Sequence, residues 1–170
     1  MFEIIALLAL FSALATLCIL SVIDLREGLL PNEYVMALAI QGAIFHLATA
    51  YAFLGIQDMA LGALIGGGFL YLTRAVANWF YKDDTLGLGD VKLMGAAGIW
   101  LGPYYILLAL TAGGVAGLLH GIGAALAEKI KSGTMPKFNK LSLPAGPGFA
   151  VGIVIAAILQ FHTIEKVLLP

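Results

Sequence analysis

Charge is what this 170-residue chain has least of: nine Lys plus Arg and ten Asp plus Glu make up 11% of it, against 61% apolar residues. Soluble domains carry about 25% charged residues and must leave close to a third of their chain's surface to water. At a mean hydropathy of +1.00 the chain cannot cover that surface, and its natural solvent is lipid. Cysteine is almost absent as well. The single Cys18 excludes an intrachain disulfide framework and a cysteine-rich metal site, and its apolar surroundings read as core or lipid-facing filler. Excess basic charge is missing too: the net charge is −1 and Lys and Arg are scattered, which sets nucleic-acid binding aside. The apolar run Ile4–Ile23 lacks a basic region before it and a small-residue cleavage site after it, being followed by Asp24-Leu25-Arg26-Glu27. It reads as a retained membrane span rather than a secretion signal. With no long internal repeat or low-complexity linker, residues 1–170 read as one integral-membrane domain.

What is present is a series of apolar segments. A helix needs about 20 apolar residues to cross a ~30 Å hydrocarbon core. Ile4–Ile23, Val35–Ile56, Met59–Tyr81 (interrupted by Arg74), Tyr104–Ala127 and Pro144–Phe161 come near that length. A sixth, Val91–Leu101, reaches only ~16 Å and should end at Pro103. The fold class expected is therefore an all-α polytopic bundle of about six helices, the fourth short. Arg26, Arg74, Lys82, Lys92, Lys129, Lys131, Lys137 and Lys140 follow or flank the first, third and fifth spans, while the opposite side holds only Lys166. The positive-inside rule then turns both termini away from the cytoplasm. Asp24, the loop before Asp90 and the connection 128–143 approach the cytoplasmic side. Small residues four apart at Gly62/Gly66, Gly113/Gly117/Gly121 and Gly148/Gly152 mark close helix approach. That spacing is compatible with a homo-oligomer and reads first as packing within one bundle.

Ionisable groups at membrane depth invite a functional explanation. Asp24 follows Ser21-Val22-Ile23 at the end of the first span, and Asp90 follows Gly87-Leu88-Gly89 at the start of the short one. Two carboxylates within a few ångströms cannot comfortably ionise together, so such a pair shares a proton. One ionised aspartate can then take a proton from water while its protonated partner polarises a scissile carbonyl. Gly87 and Gly89, lacking Cβ, let a peptide come close. The plainer alternative is that Asp90 N-caps the short helix and Asp24 marks the end of a span in interfacial water. Lys92 is suited to holding a carboxylate or lipid phosphate, or to snorkelling. Pro31 and Asn32 set the entry to the second helix, with Asn32 as its cap. His46 and His120 lack ligand spacing on one face and read as packed residues, so neither a metal nor an organic cofactor is expected.

Gly87-Leu88-Gly89-Asp90-Val91-Lys92-Leu93, with Asp24 upstream and Leu30-Pro31-Asn32 soon after it, resembles the type IV prepilin peptidase family of GxGD membrane aspartyl proteases. Gly98 and Leu101-Gly102 fit that family's glycine-bearing continuation, and Leu143-Pro144-Ala145-Gly146-Pro147 resembles its later Pro-x-Gly-Pro segment. The resemblance implies that Asp24 and Asp90 are the catalytic pair and Gly87, Leu88 and Gly89 the active-site loop. It implies a type IV pilin, pseudopilin or flagellin-like precursor as substrate, cut at the cytoplasmic face between a basic leader and an apolar helix. Under it, Glu27, Glu33, Asp83 and Asp84 gain a task in attracting the leader, although each also reads as a solvated loop charge. Pro31, Asn32, Pro144, Gly146 and Pro147 become surrounding or substrate-binding residues. The paired-cysteine methyltransferase region of larger members has no counterpart, which resembles short peptidase-only forms serving tight-adherence pili or archaeal preflagellins. Leu30 and Leu143 stand where isoleucine is common, and Ala145 where phenylalanine is frequent.

Two other readings stay open at this point. Presenilin-like proteases also place Gly-Leu-Gly-Asp before a helix, but the short chain, the Asp24–Pro31–Asn32 arrangement and the Pro-x-Gly-Pro segment speak against one. A small transporter or proton-conducting subunit would use intramembrane aspartates to carry ions. Cleavage of a precursor without an ion gradient separates it from the proteases.

Overall fold

The computed structural model describes residues 2–82, 86–132 and 145–168, and the described residues are helical apart from short connections. The order is α1 (Phe2–Glu27), α2 (Asn32–Ala48), α3 (Ile56–Tyr81), α4 (Leu88–Ser132), α5 (Gly146–Gln160) and a short α6 (Ile164–Leu168). Three helices, α1, α3 and most of α4, are long and apolar enough to cross a membrane, and α5 is a shorter apolar helix. Large apolar side chains such as Phe11, Leu64, Leu72 and Ile158 point outward, as a lipid-facing exterior requires.

No glycine or proline interrupts α1, and three of its hydroxyls donate inside the helix. Ser12, Thr16 and Ser21 hydroxyls donate to the Ala9, Ser12 and Leu17 carbonyls. Its buried residues are Ala6, Ala9, Ala13, Thr16, Leu17, Leu20 and Asp24, a stripe at helical spacing whose last member is a carboxylate. The helix runs four residues past the apolar stretch, so Asp24 lies inside its last full turns rather than beyond its end. Gly28, at φ +64°, stops it by donating its N–H to the Asp24 carbonyl at 2.9 Å, the left-handed C-terminal device for which glycine is suited.

The second helix is shorter than the apolar pattern predicts, ending at Ala48 rather than near Ile56. Thr49 turns its hydroxyl back to the Phe45 and His46 carbonyls, and Ala50 and Tyr51 both adopt left-handed backbone conformations. The chain turns there although its composition stays apolar. Gly55 then caps α3, its N–H donating to the Asp58 carboxylate at 3.4 Å.

The expected break before Pro103 is present as a sharp bend at Gly102 (φ 64°, ψ −174°) within α4. The first arm, residues 88–101, descends against α3; the second returns against α5. That first arm begins at Leu88, three residues earlier than expected, so Gly89 and Asp90 belong to its first turn. Close approach comes from glycine pairs within the bundle. A Cβ on Gly62 would strike the Gly98 carbonyl and one on Gly98 the Gly62 carbonyl, while Gly148 and Gly152 meet α4 backbone at Gly113, Gly117 and Ala109.

At the end away from the aspartates, Phe45, His46, Phe53, Trp100 and Phe161 form an aromatic core. The Trp100 indole N–H donates to the Leu38 carbonyl at 2.8 Å, and His46 Nε2 lies 3.1 Å from the Trp100 carbonyl. His46 is thus a packed, hydrogen-bonded residue, while His120 and Cys18 face outward. These contacts fix α2 against α4, while Gln41 of α2 donates to the Thr16 hydroxyl of α1 at 3.2 Å, and the C-terminal end of α1 and the N-terminal ends of α2, α4 and α5 share one end of the bundle.

Candidate active site

Asp24 is 7% exposed at the end of the buried α1 stripe. Its Oδ2 accepts the backbone N–H of Gly146 at 2.8 Å, across 122 residues of sequence. Gly146 is the first residue of α5, so the carboxylate sits on one of the unsatisfied N–H groups that open a helix. Pro147 occupies the first turn, where its missing N–H costs nothing.

Asp90, 8% exposed, stands in the first turn of α4. It does not cap that helix, being its third residue. Its Oδ1 is buried without a hydrogen-bond partner among the described residues, and the Asp24 charge is near enough to act on it. Two aspartates that lie far apart in the chain thus stand buried at the same end of the bundle.

Of the two glycines before Asp90, Gly87 is exposed and Gly89 is half-buried. A Cβ on Gly87 would lie 3.1 Å from Asp90 Oδ2, and one on Gly89 would lie 2.8 Å from the Leu30 Cβ. Leu30, at the connection between α1 and α2, thus fixes the first turn of α4, a contact that the sequence does not announce. Leu88 between the glycines is 48% exposed. Gly89→Leu should displace this turn together with Asp90 and lower the melting temperature by several degrees, as overpacking a tight contact costs about 1–3 kcal/mol. A Leu30→Gly change combined with it, which removes the Cβ in the way, should recover part of the loss; additive losses would show that the contact does not set the turn.

The remaining candidates fall into three groups. Lys92 donates its ammonium to Asn32 Oδ1 at 2.8 Å, so it bridges α4 to α2 and is spent on neither aspartate. Pro31 holds the N-cap position of α2 with no side-chain cap, so Asn32 is a bridge partner and not the cap. Glu27 and Glu33 are exposed beside the aspartate end. Asp83, Asp84 and Pro144 lie outside the described residues. Arg74, which sequence reading treats as an interruption of an apolar span and one of the orienting charges, donates to the Leu86 carbonyl and ties α3 to the segment leading into Gly87. Its position inside an apolar run was the available signal.

These features define a helical multi-pass membrane protein with two buried carboxylates at one end. The type IV leader peptidase family model matches residues 10–122, and the chain belongs to that family. It is 31% identical over 155 residues to the prepilin leader peptidase/N-methyltransferase of Pectobacterium carotovorum subsp. carotovorum, covering 86% of this chain and 50% of that protein. The Escherichia coli K12 protein of the same name is 30% identical over 151 residues, covering 86% and 61%. The type 4 prepilin-like proteins leader peptide-processing enzyme of Escherichia coli O78:H11 is 32% identical over 140 residues, covering 82% and 47%. The chain spans about half the length of these curated relatives. No solved structure matches it significantly.

Proposed function

We propose that this protein is a membrane aspartyl endopeptidase that removes the basic leader from type IV prepilin-like precursors, with Asp24 and Asp90 activating water between them. The observation that carries this reading is the placement of two buried carboxylates, from the last turns of α1 and the first turn of α4, at one end of the bundle, with Leu30 of the α1–α2 connection packed against Gly89 beside Asp90. The family match supplies the substrate class. In the reaction, the ionised aspartate takes a proton from water as the oxygen attacks the scissile carbonyl, which the protonated aspartate polarises. Collapse breaks the C–N bond, the leaving amine gains a proton from the dyad, and a carboxylic acid and an amine are released. No covalent enzyme intermediate forms.

Orientation follows from charge. Arg26, Lys82 and Lys92 stand at the aspartate end, which under the positive-inside rule faces the cytoplasm and turns Phe2 and α6 to the opposite side. Exposed Glu27 and Glu33 then flank the site where a basic leader would arrive.

The test is mass spectrometry of a candidate precursor incubated with purified protein in detergent, where no ion gradient exists. A single cut between leader and apolar segment is expected. Absence of cleavage, together with ion flux in vesicles, would favour the transporter reading. A second expected outcome concerns pH. The working dyad carries one proton, so acidification adds the second and removes the base. Cleavage should fall by about tenfold per pH unit once that second proton binds. A rate that holds constant through the acidic range would exclude a carboxylate base.

A further inference from the structure

Gly146 has neither a left-handed backbone nor a turn to explain it. It opens α5 after an ordinary right-handed Ala145, a conformation open to any residue. The constraint is spatial: a Cβ at this position would stand 2.7 Å from Asp24 Oδ2 and 3.0 Å from its Cγ. The same missing side chain lets the Gly146 N–H reach that oxygen at 2.8 Å. From the start of α5 the helix is locked to α4, with Gly148 against Gly113 and Gly117 and Gly152 against Ala109 and Gly113. Through these contacts the carboxylate of α1 is referred to the second arm of α4, which the bend at Gly102 joins to the arm that carries Asp90. The partner of Asp24 is therefore a rigid backbone donor, and Asp90 Oδ1 lacks any comparable one among the described residues.

We infer that Gly146 is a positioning residue for the dyad: its backbone N–H, at the opening of α5, sets the orientation of the Asp24 carboxylate relative to Asp90, and its lack of a side chain makes room for that orientation. The inference rests on the peptidase reading above and adds a third element to the site. A carboxylate on a single-bonded stem can rotate about χ1 and χ2, and a charge-assisted hydrogen bond from a fixed amide selects one of its orientations. Such selection acts on the reacting geometry and not on substrate affinity, which separates it from a substrate contact.

Gly146→Ala tests it with a synthetic peptide carrying a basic leader followed by an apolar segment. The added methyl collides with the mobile end of a side chain, so the Asp24 carboxylate turns away while the helices keep their places. The expected result is a roughly 100-fold drop in kcat, as for a 1 Å misplacement, with KM within about twofold and the thermal midpoint near wild type. Gly42→Ala is the structural comparison. Its Cβ would meet the Trp100 ring at 2.8 Å in the opposite half of the bundle, so it should lower the thermal midpoint with little change in kcat. A second variant keeps the inference testable if Gly146→Ala does not fold. Glycolate at position 146 replaces the N–H by an ester oxygen without adding an atom, and should lower kcat about tenfold or more through loss of one charge-assisted hydrogen bond. Wild-type kcat in the ester variant, or a change in KM alone, overturns the positioning role. If the ester variant is wild-type while Asp24→Asn and Asp90→Asn are inactive, only this inference fails; cleavage by either Asn variant defeats the dyad itself.

Discussion

Asp24→Asn and Asp90→Asn should each slow precursor cleavage by at least about 10³-fold while leaving the bundle folded. The two halves of this expectation have separate causes. An amide has the size of the carboxylate it replaces and can neither take a proton from water nor hold the shared one. At Asp24 the amide oxygen still accepts the Gly146 N–H, so the join between α1 and α5 is kept. At Asp90 the native carboxyl buries Oδ1 without a partner, and a neutral amide is cheaper to desolvate than a charge. Each variant should therefore melt at or above the wild-type temperature, since the pair of buried acids is held against stability. Cleavage near the wild-type rate in either variant would remove the dyad from the mechanism. Activity lost together with the helical signal would instead mark a structural residue.

Much of this site is readable in the residues, and what is not has physical reasons. Asp24 and Asp90 stand out because a carboxylate inside an apolar run costs free energy and needs a cause. The bend of α4 is legible because Gly102-Pro103 combines a residue that adopts positive φ with one that cannot continue a helix. The end of α2 is hidden, because a Thr49 hydroxyl and two left-handed residues, Ala50 and Tyr51, make the turn while apolar composition continues through it. The role of Asn32 is misread for a related reason. Its place after Pro31 looks like a cap, whereas its side chain answers to Lys92, 60 residues away. For Gly89 the residues show only that a side chain is missing, and the fold adds that Leu30 occupies the space where its Cβ would be. The Pro-x-Gly-Pro segment draws the eye to Gly146 but not to its donor role, since every residue except proline carries a backbone N–H and its use depends on tertiary approach.

Gly98→Leu should be the most damaging single change away from the aspartates. In the first arm of α4, Gly98 faces Gly62 of α3 so closely that each would drive a Cβ into the other's carbonyl, and Gly66 meets the Met94 carbonyl one turn nearer Asp90. Obstructions made of backbone cannot be relieved by a rotamer change, so one helix must move. In lipid, where apolar side chains gain little by leaving one apolar medium for another, this close packing is a main source of helix association. Overpacking a tight core costs about 1–3 kcal/mol, which for a chain of this size corresponds to a fall in melting temperature of several degrees. Activity should fall further than stability, because the arm that tilts carries Asp90 two turns above the collision, while Asp24 stays with α1 and α5. Leu at Gly114, where a Cβ meets nothing within 4 Å, should leave both measurements near wild type. If Gly98→Leu matched wild type in melting temperature and cleavage, the α3 crossing would not be what holds Asp90 opposite Asp24.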